Sequence, residues 1–186
     1  MSVIRVASRY TKSLLDLAVE QGQLEAVHQD MIRLLDLAES NREFKVMLKS
    51  PVISADKKLK VLNALFADAK SSLTKSFFAV VAQKGREGVL LDIAKEFHRQ
   101  YNLYNHIQEA EVVTTYALDE EMRATFVNLV KEVSGKEKVE LKEKNDPELI
   151  GGFVLTVGDK QIDESLSSKL NHLKLQFTQN LYEKKY

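Results

Sequence analysis

The sequence contains no cysteine and no tryptophan, and only two prolines and seven glycines interrupt its 186 residues. Without cysteine, disulfides, thiolate metal sites and cysteine nucleophiles are excluded, which fits a reducing cytoplasm. The scarcity of helix-breaking residues leaves room for long uninterrupted elements. No stretch approaches the ~20 apolar residues that span a bilayer. The segment Met1 to Tyr10 also lacks the apolar core of a secretory signal. Membrane association is therefore expected only indirectly, through a partner. Neither sign of charge is in excess, because 27 basic residues balance 27 acidic ones. A balanced chain has no general attraction for nucleic acid or anionic lipid.

Catalytic patterns are missing too. The four histidines, His28, His98, His106 and His172, form neither an H-x-x-x-H nor an H-E-x-x-H pair. Each reads as a helix-surface or helix-end residue. There is no G-x-S-x-G elbow, phosphate-binding loop or dinucleotide fingerprint. The segment Gly85 to Gly88 is too short to cradle a phosphate and reads as a turn between helices. Glu120 and Glu121 open a helix, where the macrodipole favours negative charge. The run Lys136 to Lys144 alternates in sign, which suits a solvated strand face better than a nucleic-acid surface.

What is present is apolar periodicity. Hydrophobic residues make up 44% of the chain, enough for a packed core. Val6, Tyr10, Leu14 and Leu17 recur at helical spacing in a first helix from about Val3 to Glu20, which Gly22 is placed to end. Leu24, Val27, Met31, Leu34 and Ala38 mark a second helix. Phe44, Met47 and Leu48 mark a short third, closed before Pro51. Ser54 is placed to cap a fourth, with Leu59, Leu62, Leu65 and Phe66. A fifth carries Leu73, Phe77, Val80 and Val81 and stops at Gly85. A sixth carries Leu90, Ala94, Phe97, Tyr101 and Tyr104. Short connections favour antiparallel neighbours, so residues 1–106 are expected to form an all-α six-helix bundle.

The pattern then changes. Glu111 to Tyr116 has strand character. Asp119 is placed to cap a helix bearing Met122, Phe126, Leu129, Val130 and Val133, which ends at Gly135. Lys138 to Lys142 and Phe153 to Val157 alternate as strands with one wet face. Gly158 and Asp159 signal a two-residue hairpin, with Lys160 to Asp163 returning. Leu166, Leu170, Leu173 and Phe177 face one way on a last helix. Residues 107–186 thus read as a small α+β domain, and the whole chain as α+β.

The segment Asn145 to Ser165 concentrates local devices: Asp146 before Pro147, Gly151 and Gly152 before Phe153, the Gly158–Asp159 turn, then Asp163 and Ser165 before a helix. It resembles the signature of the ATP synthase δ (OSCP) family, in which an acidic residue precedes Ile150-Gly151-Gly152-Phe153. Gly158-Asp159, Ile162-Asp163 and a helix opened by Ser165 then follow. The opening from Val6 to Ala18 also resembles that family's first helix, and Lys84 to Arg86 its turn after the fifth. Ser8, Thr11 and Ser13 stand where smaller residues are usual, a departure that bears on groove shape. The resemblance extends over essentially the whole chain.

It implies a non-catalytic subunit of bacterial F-type ATP synthase, without a metal or cofactor of its own. The helical domain would cap the catalytic head and take the N-terminal helix of an α subunit into a groove between helices one and five. Tyr10, Ser13, Leu14 and Leu17 on one wall, and Phe77, Val80, Val81 and Lys84 on the other, are the residues so implied. The C-terminal domain would hold the C-terminal helices of the b subunits. The chain would then sit peripherally on the cytoplasmic face of the inner membrane, as part of the ATP synthase complex, and would be a monomer in isolation. Asp146, Gly151, Gly152, Phe153, Gly158, Asp159, Asp163 and Ser165 are expected to be structural, as turns and caps. The competing reading is a helical scaffold or regulatory protein with an unrelated partner.

Overall fold

The computed structural model describes residues 3–178. The chain divides into two compact units, Met1–Tyr104 and Asn105–Tyr186.

The first unit is built from α1 (Val3–Glu20), α2 (Leu24–Ser40), α3 (Arg42–Lys49), α4 (Ala55–Leu65), α5 (Ser72–Gln83) and α6 (Leu90–Tyr104). A 3-10 turn, Glu87–Val89, precedes α6. The periodic apolar residues face inward: Leu14, Met31, Leu34, Leu62, Phe66, Phe78, Ile93 and Phe97 are all buried in one core. Each such side chain contributes about 2 kcal/mol through the water it sheds. Helix α6 packs on both α1 and α2, and α4 packs on α5. Phe66 and Phe78 meet edge to face at 5.2 Å across the α4–α5 contact.

Helix ends follow the sequence except in two caps. Gly22 and Gly85 close α1 and α5 with φ of +65° and +63°. Ser54 precedes α4 but accepts no capping hydrogen bond through its hydroxyl. Its carbonyl receives the Lys57 and Lys58 N–H groups instead. Asp119 behaves likewise at the start of its helix, where Arg123 N–H reaches its carbonyl at 2.9 Å. In the first unit, Asn41 caps α3 and Ser71 caps α5 through their side chains.

His28 departs from its expected place on a helix surface. It is buried in α2, stacks on Tyr101 of α6 with 3.5 Å between ring centroids, and holds His98 through an Nε2–Nδ1 hydrogen bond of 3.0 Å. Burial first, and the neighbouring His98 second, push its pKa down to about 4.

The second unit holds a four-stranded sheet in the order β2-β1-β3-β4. Its elements are β1 (Ile107–Thr114), α7 (Glu120–Ser134), β2 (Lys138–Asn145), β3 (Phe153–Val157), β4 (Lys160–Asp163) and α8 (Leu166–Thr178). β1 pairs in parallel with β2, through the α7 crossover, and antiparallel with β3. Alternation places Ala110, Val112, Leu155 and Val157 on one face, where they pack with Phe126 and Val130 of α7. β1 begins four residues before the expected Glu111 and ends at Thr114. It starts directly after His106, whose φ of +56° turns the chain out of α6, and Thr114 closes it by donating its hydroxyl to Tyr116 O at 2.7 Å. β2 likewise continues past Lys142 to Asn145, because its parallel ladder matches β1 residue for residue.

Turns and caps shape the segment from Asn145 to Ser165. Asp146 accepts the Glu148 N–H at 3.0 Å, and Gly158 turns the β3–β4 hairpin at φ +58°. Asp163 accepts the Ser165 N–H and the Ser168 hydroxyl, while Ser165 Oγ accepts the Ser168 N–H, so the two residues cap α8 together. Gly152 sits at φ +80°, and a Cβ there would overlap the carbonyl oxygen of Glu164. Two backbone hydrogen bonds hold the strands this close: Glu164 N–H to Phe153 O and Leu166 N–H to Gly151 O, each 2.9 Å.

Gly152→Ala is therefore expected to destabilise the second unit by about 3 kcal/mol, through strain and collision together. Gly135→Ala, at φ +69° with open space around it, should lose only about 1 kcal/mol. Urea titration followed by circular dichroism compares them. For His28, the folded chain releases its proton down to about pH 4 whereas the unfolded chain titrates near 6.5. More protons bind the unfolded state in that window, so stability falls as pH drops through it. His28→Phe keeps the ring and should remove about 2 kcal/mol of that pH-dependent loss, read from urea midpoints across the window.

Candidate helix-binding groove

Between α1 and α5 lies an open groove of about 350 Å³, lined by Tyr10, Ser13, Leu14, Leu17, Leu73, Ser76, Phe77 and Val80. The floor is Leu14, 1% exposed, and the rims are Leu17 at 44% and Val80 at 47%. Tyr10 and Phe77 face each other edge to face at 6.3 Å and join the two walls. The spacing explains the wall on α1: Tyr10, Leu14 and Leu17 are separated by four and three residues and so share one face. On α5, Leu73, Phe77 and Val80 repeat the same four-then-three pattern.

Of the eight groove residues suggested by the sequence, six line this cavity: Tyr10, Ser13, Leu14, Leu17, Phe77 and Val80. Val81 does not. It is 0% exposed and belongs to the core beneath, since it follows Val80 by about 100° around the helix. Lys84 is exposed at the end of α5 but outside the lining. Leu73 and Ser76 complete the wall and could have been found by extending the Phe77–Val80 face one turn back. Of the residues departing from the family pattern, Ser13 lines the groove and returns its hydroxyl to Arg9 O at 3.1 Å. Thr11 instead faces the core, donating to Ile93 O at 3.1 Å.

The position of the α5 wall depends on a carboxylate that periodicity does not single out. Asp30 of α2 is 2% exposed. Its oxygens accept the Lys70 N–H at 3.2 Å, the Ser71 N–H at 3.3 Å and the Thr74 hydroxyl at 2.8 Å. Ser71 in turn donates its hydroxyl to Gln23 at 2.7 Å and accepts the Leu73 N–H at 3.1 Å. The first turn of α5 is thus held against α2, and the negative charge sits where the helix dipole is positive. The arrangement offers an apolar trough with hydroxyls along its edges. It can receive an amphipathic helix; no nucleophile–base pair lies along it.

The family model described as the ATP synthase delta (OSCP) subunit matches residues 6–177 of this sequence. The chain belongs to that family. An ATP synthase subunit delta from Cytophaga hutchinsonii is 41% identical over 181 residues, covering 97% of this chain and 98% of the relative. The ATP synthase subunit delta of Christiangramia forsetii is 37% identical, with 97% of each chain covered. A chain in the cryo-EM structure of the Toxoplasma gondii mitochondrial ATP synthase hexamer shares the fold, with a TM-score of 0.71 at 21% identity. That match covers 92% of this chain and 96% of that one. No described helix is long and apolar enough to cross a membrane.

Asp30→Ala leaves three donors without their acceptor, two of them buried, and is expected to destabilise the helical unit by about 3 kcal/mol. Asp30→Asn, which keeps an acceptor oxygen, should recover part of that loss. Urea unfolding of the two variants against the parent measures both.

Proposed function

We propose that this chain is the adaptor by which the peripheral stalk of a bacterial ATP synthase holds the catalytic head. Residues 1–106 would receive the N-terminal helix of an α subunit, and residues 107–186 the C-terminal helices of the b subunits. The observation that carries the reading is the α1–α5 groove, an apolar trough on the helical unit of a δ-family chain. A helix laid there would bury anchors spaced at three and four residues against Leu14, Leu17, Phe77 and Val80. The stalk half is supported by α8, whose Leu166, Leu170, Leu173, Leu175 and Phe177 are all exposed.

The role is mechanical. A rotor turning inside the head exerts torque on it, and a stator link resists by staying bound, which asks for buried apolar contacts and no reacting group. One chain would serve each complex, as a monomer when isolated. It would reach the cytoplasmic face of the membrane only through its partners.

Calorimetric titration with a peptide spanning the N-terminal helix of the α subunit from the same organism tests the groove. Saturable one-to-one binding is expected. Val80→Asp, at a rim position exposed enough to leave folding intact, should weaken it by more than about thirtyfold, because the complex would bury an unpaired carboxylate. Binding unchanged by the substitution would move the site elsewhere on the chain, and absence of binding to the parent protein would refute the groove reading.

A further inference from the structure

Arg86 lies just beyond the groove, in a position fixed by the way α5 ends. Gly85, at φ +63°, reverses the chain, so that Gly85 N–H donates to Ala82 O at 2.9 Å and Arg86 N–H to Val81 O at 3.1 Å. The Arg86 carbonyl accepts the Val89 N–H at 3.0 Å, which engages both of its backbone groups. From there the side chain reaches back to α1, with its guanidinium carbon 5.8 Å from the centroid of the Tyr10 ring. Tyr10 is the same ring that meets Phe77 across the groove.

A guanidinium resting on an aromatic face keeps its in-plane N–H donors available. Arg86 is exposed and makes no ion pair with any described residue. The adjacent carboxylate does not serve it, since Glu87 is buried and turned toward Lys58 at 3.9 Å. Lys84, exposed two residues earlier, adds positive charge at the same end of α5. This end of an apolar trough is therefore cationic, with one fork-shaped donor already held in place.

We infer that Arg86 is a specificity-determining residue of the groove, which selects an amphipathic helix bearing a carboxylate at the end that lies over Tyr10. The apolar trough supplies affinity without direction. The Arg86 guanidinium, seated on Tyr10, fixes which way round and in what register the incoming helix lies, by a charge-assisted bond that the reversed helix cannot make. The role of Arg86 rests on the groove reading proposed above.

The test is calorimetry of the full chain with the same α-subunit peptide and with versions in which each Asp or Glu is changed in turn to Asn or Gln. Arg86→Gln is expected to weaken binding about fivefold and to flatten its salt dependence. One neutralised peptide should bind the parent protein at that same reduced level and lose nothing further against Arg86→Gln. Arg86→Lys keeps the charge without the planar fork and should fall between. Equal affinity of the parent and Arg86→Gln at low salt would overturn the inference. So would an identical Arg86→Gln loss with every neutralised peptide, which would mean that Arg86 acts only by steadying Tyr10. If Val80→Asp abolishes binding while Arg86→Gln leaves it unchanged, the groove stands and the selector falls. A parent protein that binds no peptide overturns both.

Discussion

The buried carboxylate of Asp30 is the constraint on which the helical unit's usable surface depends. A closed bundle would pack α1 against α5 and leave no groove between them. Here α5 is held at its first turn by three hydrogen bonds to α2 and at its body by Phe78 against Phe66. An open groove remains between its outer face and α1. Hydrogen bonds do this better than apolar contacts could, because their geometry is directional and a carboxylate left without donors is expensive. The trough is a product of where α5 is fixed, and the residues lining it need only be apolar and of suitable size.

Much of this was legible in the sequence. Every helix and strand anticipated from periodicity is found, because an amphipathic stripe of period 3.6 or 2 can be buried in only one way. The six residues Tyr10, Ser13, Leu14, Leu17, Phe77 and Val80 that gather in the groove were reachable only through resemblance to a family. Periodicity alone does not distinguish a face that meets the core from one that meets a partner. Val81 shows the limit, since at one residue's remove from Val80 it turns fully inward.

The misses share a physical cause. Asp30, His28 and Lys58 are polar residues on α2 and α4 that are buried in the fold. Each is tolerated because of partners far away in the chain: Lys70, Ser71 and Thr74 for Asp30, His98 and Tyr101 for His28, and the Leu48 carbonyl at 3.0 Å for Lys58. A rule that places polar residues outside cannot see such pairings, which exist only once the helices have packed. The strand ends erred for a related reason. β1 and β2 extend as far as their mutual ladder allows, and that length belongs to the pair and not to either segment's composition.

The two outer strands of the small sheet carry a consequence for how this chain can associate. β4 has only four residues, and β2 presents Lys138, Lys142 and Lys144 along an exposed edge. Short or lysine-rich margins resist the addition of a further strand from another molecule. The margins of this sheet thereby discourage pairing, edge to edge, with a strand of another molecule.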